Sequence, residues 1–271
     1  MFPYVTDYSG FAIRKWMIDN VDVAGFLCLL YLGLVWKGPG VVKSLREKNL
    51  INATLLQGVF IMWNLFLSTF SVIGMIVVVP AAIAHISNKG LVPALCERDV
   101  NMIYDSPVGF WVGVFALSKI PELFDTVLLV LQGKQPPFLH WYHHTTVLIF
   151  SWQSYCEGSS TIFVFVAMNL TVHAVMYFYF AMCASGFKAI MRTIAPVITI
   201  MQILQMIVGS AVTMYSAYVL YNPQPDGPQT CDVTKASARM GVVMYLSYLY
   251  LFAALFVESY LKPKKRTEKS K

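Results

Sequence analysis

The chain has 271 residues, of which 57% are apolar and only 13% charged, where soluble domains carry about 45–50% and about 25%. Together with a mean hydropathy of +0.61, this excludes a disordered chain, a collagen-like or disulfide-rich secreted scaffold, and a soluble enzyme with an appended anchor. The formal net charge of +6 has no basic stripe on a soluble face behind it, so nucleic acid is not an expected partner. What remains is an all-α polytopic membrane protein built as one domain.

Residues 1–20 hold Asp7, Arg14, Lys15 and Asp19 with no apolar core. They are expected to form an extramembrane segment and not a cleavable signal peptide. Apolar runs bounded by charges or by Gly and Pro then predict seven membrane helices, at residues 21–36, 54–84, 107–131, 138–156, 160–184, 190–221 and 238–261. The second and sixth exceed ~25 residues, so they must tilt or project beyond the hydrocarbon. Connections at 132–137 and 157–159 are short enough to make spans 3 and 4, and spans 4 and 5, antiparallel neighbours. The loops after spans 1, 3 and 5, with the tail 262–271, hold thirteen Lys and Arg residues against six on the other side. Cationic loops stay cytosolic, which predicts a cytosolic C-terminus and an N-terminus across the membrane. The sequons at Asn52 and Asn169 then fall in the cytosol and inside a span, so neither is expected to carry a glycan.

Ionisable residues at membrane depth each cost roughly 2.5–3.5 kcal/mol on insertion scales, so they mark pairing or function. Span 3 holds Lys119, Glu122 and Asp125 within about 120° of one helix face, with Thr126 beside them. Two readings are open: an internal ion pair, or the polar wall of a site, with Pro121 disturbing the helix between them. Span 4 opens with His140-Trp141-Tyr142-His143-His144, a spacing that sets three imidazoles on one face. In span 5, Asn169, His173, Met176 and Tyr177 share a face, and span 6 repeats polar residues at Thr199, Gln202 and Gln205. The glutamines alone would also serve to bond neighbouring helices. Counted from the helix ends, these groups occupy the cytosolic half of the membrane up to its centre. The other half is apolar. That distribution suits a substrate with a charged cytosolic head and a long apolar tail.

Lys119-x-x-Glu122-x-x-Asp125-Thr126, His140-x-x-His143-His144, Asn169-x-x-x-His173-x-x-Met176-Tyr177 and Thr199-x-x-Gln202-x-x-Gln205 together resemble the ELO family of fatty-acid elongases. The similarity holds in order and spacing over nearly the whole chain. One departure is visible: tandem tyrosines of the family read Tyr179-Phe180 here, one hydroxyl fewer near the site. The resemblance implies an endoplasmic-reticulum 3-ketoacyl-CoA synthase, an acyltransferase that condenses acyl-CoA with malonyl-CoA. CoA and carbon dioxide leave, and the acyl chain grows by two carbons. The resemblance implies no cofactor beyond these substrates, a place in membrane lipid, and neighbouring enzymes of the elongation cycle as partners. It also implies a barrel in which spans 2–7 form two inverted three-helix units around an acyl tunnel, with span 1 peripheral. The Trp141-Tyr142 pair resembles members that act on saturated or monounsaturated chains.

The residues themselves limit the chemistry. Cys156 lies thirteen residues from His143, and Cys183 ten from His173. At 1.5 Å per residue both are roughly 15–20 Å away, so a cysteine nucleophile is not expected. A histidine with an unprotonated ring nitrogen can attack a thioester. His143 is the expected nucleophile, with His173 facing it to stabilise an oxyanion or handle protons. His140 and His144 would orient the ring or bind the malonyl group, and Asn169, Gln202 and Gln205 would donate hydrogen bonds. Tyr177, Lys119, Glu122 and Asp125 complete the expected substrate-binding set. Lys134, Lys188, Arg192 and Lys262 either bind CoA phosphates or only set topology.

Two other classes compete. Histidine clusters also serve metal-dependent desaturases and hydroxylases, but this chain has five histidines in all, with His85 at the far end of span 2, so no metal is expected. A proton-coupled transporter would place its titratable groups at the midplane with access from both sides, which the one-sided distribution disfavours. Finally, Cys96 and Cys231 lie in loops on the N-terminal side of the membrane, where an oxidising lumen predicts a disulfide.

Overall fold

The computed structural model describes residues 8–223 and 230–262; the basic tail beyond Lys262 lies outside the described residues. Helices follow in order as α1 (Phe11–Asp19), α2 (Val21–Glu47), α3 (Ala53–Lys89), short α4 (Leu91–Cys96) and α5 (Val100–Ile103), α6 (Ser106–Ser118), α7 (Phe124–Leu131), α8 (Phe138–Glu157), α9 (Ile162–Met182), α10 (Lys188–Tyr221) and α11 (Lys235–Phe256). Among the described residues there is no β-strand. Apolar side chains lie on every face of the long helices. In α3, Leu67 and Val78 are buried while Phe66 and Ile76 are exposed, the pattern of a helix packed in lipid.

Four stretches are long and apolar enough to cross a membrane: Val21–Glu47, Ala53–Lys89, Ile162–Tyr221 and Lys235–Leu261. The third is two helices in one. Gly186 sits at φ 100°, a left-handed conformation open to glycine at little cost, and the chain reverses there. Gln202 Nε2 consequently reaches Met176 Sδ at 3.3 Å, although 26 intervening steps of straight helix would separate them by ~39 Å. The predicted spans 3 and 4 do not reach the same threshold, for two physical reasons. Residues 138–157 form one helix, but its histidines, tyrosines and glutamine dilute its hydropathy. Span 3 was expected as one helix and is broken: α6 ends at Ser118, Pro121–Leu123 form a 3-10 turn, and α7 resumes at Phe124. Proline removes a backbone donor and crowds the preceding turn, which accounts for the break.

The most extensive helix pairings are α3 with α9 and α10 with α11. α8 carries the histidine box at its first turns and Cys156 at its last, so the bundle has a box end and an opposite end about 25 Å away. The opposite end is tied shut. Cys96 and Cys231 are joined by a disulfide, Asp232 N–H donates to the Cys96 carbonyl at 2.8 Å, and Ser160 N–H donates to that of Asp232 at 3.0 Å. Glu157 accepts from Thr234 at 2.7 Å and Ser237 at 2.6 Å, which clamps the end of α8 to the start of α11. Gly158, at φ 65°, ends α8 in a left-handed cap, and its carbonyl accepts from Arg98 at 2.7 Å. α1 seals the same end: Trp152 donates to the Met17 carbonyl at 2.9 Å and Arg14 to that of Cys156 at 2.8 Å. Asn52 caps α3 by accepting from Leu55 N–H at 3.0 Å.

Candidate functional site

At the box end the helices surround a cavity of about 530 Å³. The volume is that of a typical small-molecule site. His140, His143 and His144 of α8 line it, with Asn169, His173, Met176 and Tyr177 of α9, Thr199, Gln202 and Gln205 of α10, and Asp125 of α7. Residues from four stretches of the sequence therefore converge on one space. Its remaining walls include the apolar Phe60, Val172, Ile198, Met206, Phe252 and Leu255. Both Tyr179 and Phe180 are among the lining residues, so Phe180 presents a bare ring where a second phenol would stand.

Some polar groups of the cavity are held from behind, while Nδ1 of His143 and of His144 has no hydrogen-bond partner. Asp125 accepts from Trp63 Nε1 at 2.6 Å and from the Tyr177 hydroxyl at 2.8 Å, and its Oδ2 lies 3.9 Å from His144 Nε2. His140 Nε2 shares a hydrogen bond with the Thr126 hydroxyl at 2.8 Å, which is itself 2.8 Å from the Tyr31 hydroxyl. The His143 carbonyl accepts from Tyr248 at 3.1 Å, and Tyr248 also bonds Thr146. Rings of His140 and His144 stand 4.5 Å apart, and those of His143 and His144 5.5 Å. Among the described residues no three His, Cys, Asp or Glu side chains converge so as to hold a metal ion.

The predicted site residues do not all meet. Lys119 and Glu122 are buried, but neither lines the cavity. Side chains at i and i+3 are neighbours on a helix, and Lys119 Nζ donates to Glu122 Oε1 at 2.6 Å. The ion pair is thus made, behind the site wall, while Asp125 alone of the three faces the cavity. Lys134 lines the cavity beside Pro137. Lys188, Arg192 and Lys262 are exposed and stand outside it. Cys156 and Cys183 are free thiols, and neither lines the cavity.

Sequence reasoning missed Tyr31, Trp63, Asn64 and Tyr248. No repeated polar spacing singles them out from the other residues of their helices. Tyr31 matters most here. It is 4% exposed and brings α2, expected to be peripheral, to within a hydrogen-bond chain of the box.

The ELO (GNS1/SUR4) family model matches residues 16–268, which include every residue of this cavity. The chain belongs to the ELO family of fatty acid elongases. It is 60% identical over 267 residues to "Fatty acid elongase 2" of Trypanosoma cruzi, covering 98% of this chain and 96% of that one. It is 47% identical to "Fatty acid elongase 1" of Trypanosoma brucei brucei, with 96% and 88% covered. "Very long chain fatty acid elongase 6" of Drosophila melanogaster is 35% identical, over 97% of this chain and 80% of the other. An enzyme of fatty acid elongation embedded in a membrane accounts for both the apolar helices and the acyl-sized cavity.

Beyond this elongase cavity lies a second, smaller void of about 30 Å³, large enough for one or two waters. Asn169 borders both. Phe150, Phe165 and Tyr245 line the smaller one and pack on each other, with Phe165 and Tyr245 ring centres 5.0 Å apart. Gly209 lets the Tyr245 ring lie against the α10 backbone, since a Cβ there would collide with it.

Proposed function

We propose that the protein is a 3-ketoacyl-CoA synthase of the endoplasmic reticulum membrane, working by a ping-pong mechanism through an acyl-histidine. One observation carries this reading: His143 of α8 and His173 of α9 line one largely apolar cavity, and among the described residues no cysteine is in its wall. His143 attacks the thioester carbonyl with its unprotonated ring nitrogen. The C–S bond breaks, and CoA leaves as the thiol with the proton released from the acylated imidazole. Malonyl-CoA then loses carbon dioxide, and the electron pair of that C–C bond becomes an enolate. The enolate attacks the acyl carbon, a new C–C bond forms, the C–N bond to His143 breaks as the departing imidazole takes up one proton from solvent, and 3-ketoacyl-CoA departs. Electrons balance without any redox partner. His173 stabilises the oxyanions, Asn169 bonds its ring, and His140 and His144 orient the first ring or hold the malonyl carboxylate.

The cavity would take the acyl chain from the box end, with Lys134 at the mouth for CoA phosphate. Saturated or monounsaturated chains are the substrates that the Trp141-Tyr142 pair suggests. In this reading the chain crosses seven times, α6 and α7 counting as one span. The spans from α3 onward form a barrel of two inverted three-helix units, and α2 lies at its side. The charge bias puts the box end and the C-terminus in the cytosol, within reach of the other enzymes of the cycle. The N-terminus and the disulfide face the lumen.

Purified protein given acyl-CoA and labelled malonyl-CoA should release carbon dioxide and form labelled 3-ketoacyl-CoA without nicotinamide. Acyl-CoA turnover without a two-carbon extension would end this reading.

A further inference from the structure

The buried charge pair behind the wall has a second contact that its structural role does not need. Lys119 Nζ donates to Glu122 Oε1 at 2.6 Å and also to Asn169 Oδ1 at 3.2 Å, and it sits 4.0 Å from the centre of the Phe115 ring. Ser118 donates to the same Glu122 oxygen at 2.9 Å. On the other side of the amide, Asn169 Nδ2 lies 3.1 Å from His173 Nε2. Lys119, Asn169 and His173 are all buried.

The chemistry of the groups sets the direction of every proton in this chain. An ammonium has donors only, so the amide atom facing Lys119 has to be the oxygen. Turning the amide over would set an NH2 group against an NH3+ group in an apolar interior. The amide nitrogen therefore faces His173, and it too can only donate. His173 Nε2 must accept, and in a neutral imidazole the single N–H is then on Nδ1. The ring lines the cavity, and among the described residues no hydrogen bond occupies Nδ1.

We infer that Lys119, acting through Asn169, locks His173 as the Nδ1–H tautomer and so keeps an N–H donor ready for the oxyanions formed in the cavity. Lys119 and Asn169 are positioning residues in this account, and His173 is the group that meets the reacting oxygen. The inference rests on the synthase reading, because it assigns the donor a use.

The test reads the tautomer directly. Val172-His173 is the one Val–His peptide in the chain. Protein carrying carbonyl-labelled valine and uniformly labelled histidine therefore gives an assigned His173 signal in bilayers without any substitution. Ring nitrogen shifts from solid-state NMR should show a protonated Nδ1 and a bare Nε2. A proton on Nε2, alone or together with one on Nδ1, overturns the inference. Asn169→Asp supplies the functional arm. A carboxylate there faces Lys119 and accepts from Nε2–H, so the tautomer should invert and kcat should fall about 100-fold, the cost of one lost oxyanion donor. KM for acyl-CoA should stay within a few-fold. An inverted ring with wild-type kcat would also overturn it. Condensation by the wild-type protein tests the synthase reading separately, since it does not depend on which nitrogen holds the proton.

Discussion

Tyr31 and His140 bond the same hydroxyl. Thr126 Oγ1 lies 2.8 Å from Tyr31 and 2.8 Å from His140 Nε2, so the first long helix holds the first histidine of the box through a residue of α7. Tyr31→Phe removes one partner of this chain without opening a cavity. A neutral hydrogen bond contributes about 0.5–1.5 kcal/mol, so turnover should fall by roughly 3–10-fold with folded yield unchanged. Steady-state condensation rates on detergent-purified protein check this, and a wild-type rate would detach α2 from the site.

Acyl transfer to His143 should be visible without the second substrate. Incubation with acyl-CoA alone should release CoA and add one acyl mass to the peptide bearing His143. His143→Ala should abolish that mass and lower condensation by roughly 1,000-fold or more, as expected for a nucleophile. Normal loading in the variant would move the covalent step elsewhere, with His173 the next residue to map.

Lys119 and Asp125 should behave differently although both are charged residues of one motif. Lys119→Met leaves Glu122 buried without its partner, a loss of ~3–5 kcal/mol, and thermal denaturation should show a large drop. The double variant Lys119→Met/Glu122→Leu should recover most of that stability but not turnover, because Asn169 then lacks its anchor. Asp125→Asn, at the cavity wall, should keep folded yield while turnover falls by about 10-fold or more. Equal loss of yield in both single variants would contradict this division.

The Cys96–Cys231 bridge closes a loop of 135 residues, where chain-entropy models give ~4–5 kcal/mol. Peptide mapping without reduction should recover the two cysteines as one linked species. Cys96→Ser/Cys231→Ser should lower the unfolding temperature yet leave KM for acyl-CoA close to wild type, since neither cysteine lines the cavity. A change in product length with no change in stability would point to a role in the tunnel instead.

Removing the Tyr245 ring should enlarge the small void that meets the main cavity at Asn169. Tyr245→Ala should extend the longest product by at least one two-carbon cycle, at a stability cost of about 3–5 kcal/mol for losing a buried aromatic. Product profiling by mass spectrometry across a series of acyl-CoA lengths reads this. An unchanged profile would place the end of the tunnel elsewhere.

Composition determined that this chain is a helical membrane protein, and motif spacing determined which polar side chains share a helix face. Both are local properties: an apolar run needs no partner to declare itself, and i, i+3, i+4 spacing places side chains on one face of any helix. The three imidazoles, Asn169 with His173, and Gln202 with Gln205 were legible for that reason. What the tertiary structure decided is which side of a wall each group occupies. An ideal helix sets Lys119, Glu122 and Asp125 on one face. In the structure the first two form a buried pair behind the wall and Asp125 lines the cavity, with the break at Pro121 in the same segment. Tyr31, Trp63 and Tyr248 became part of the site through contacts across 95, 62 and 105 residues of sequence. Such partners carry no periodicity, because a lone hydroxyl or indole in an apolar helix acquires its role only from what packs against it.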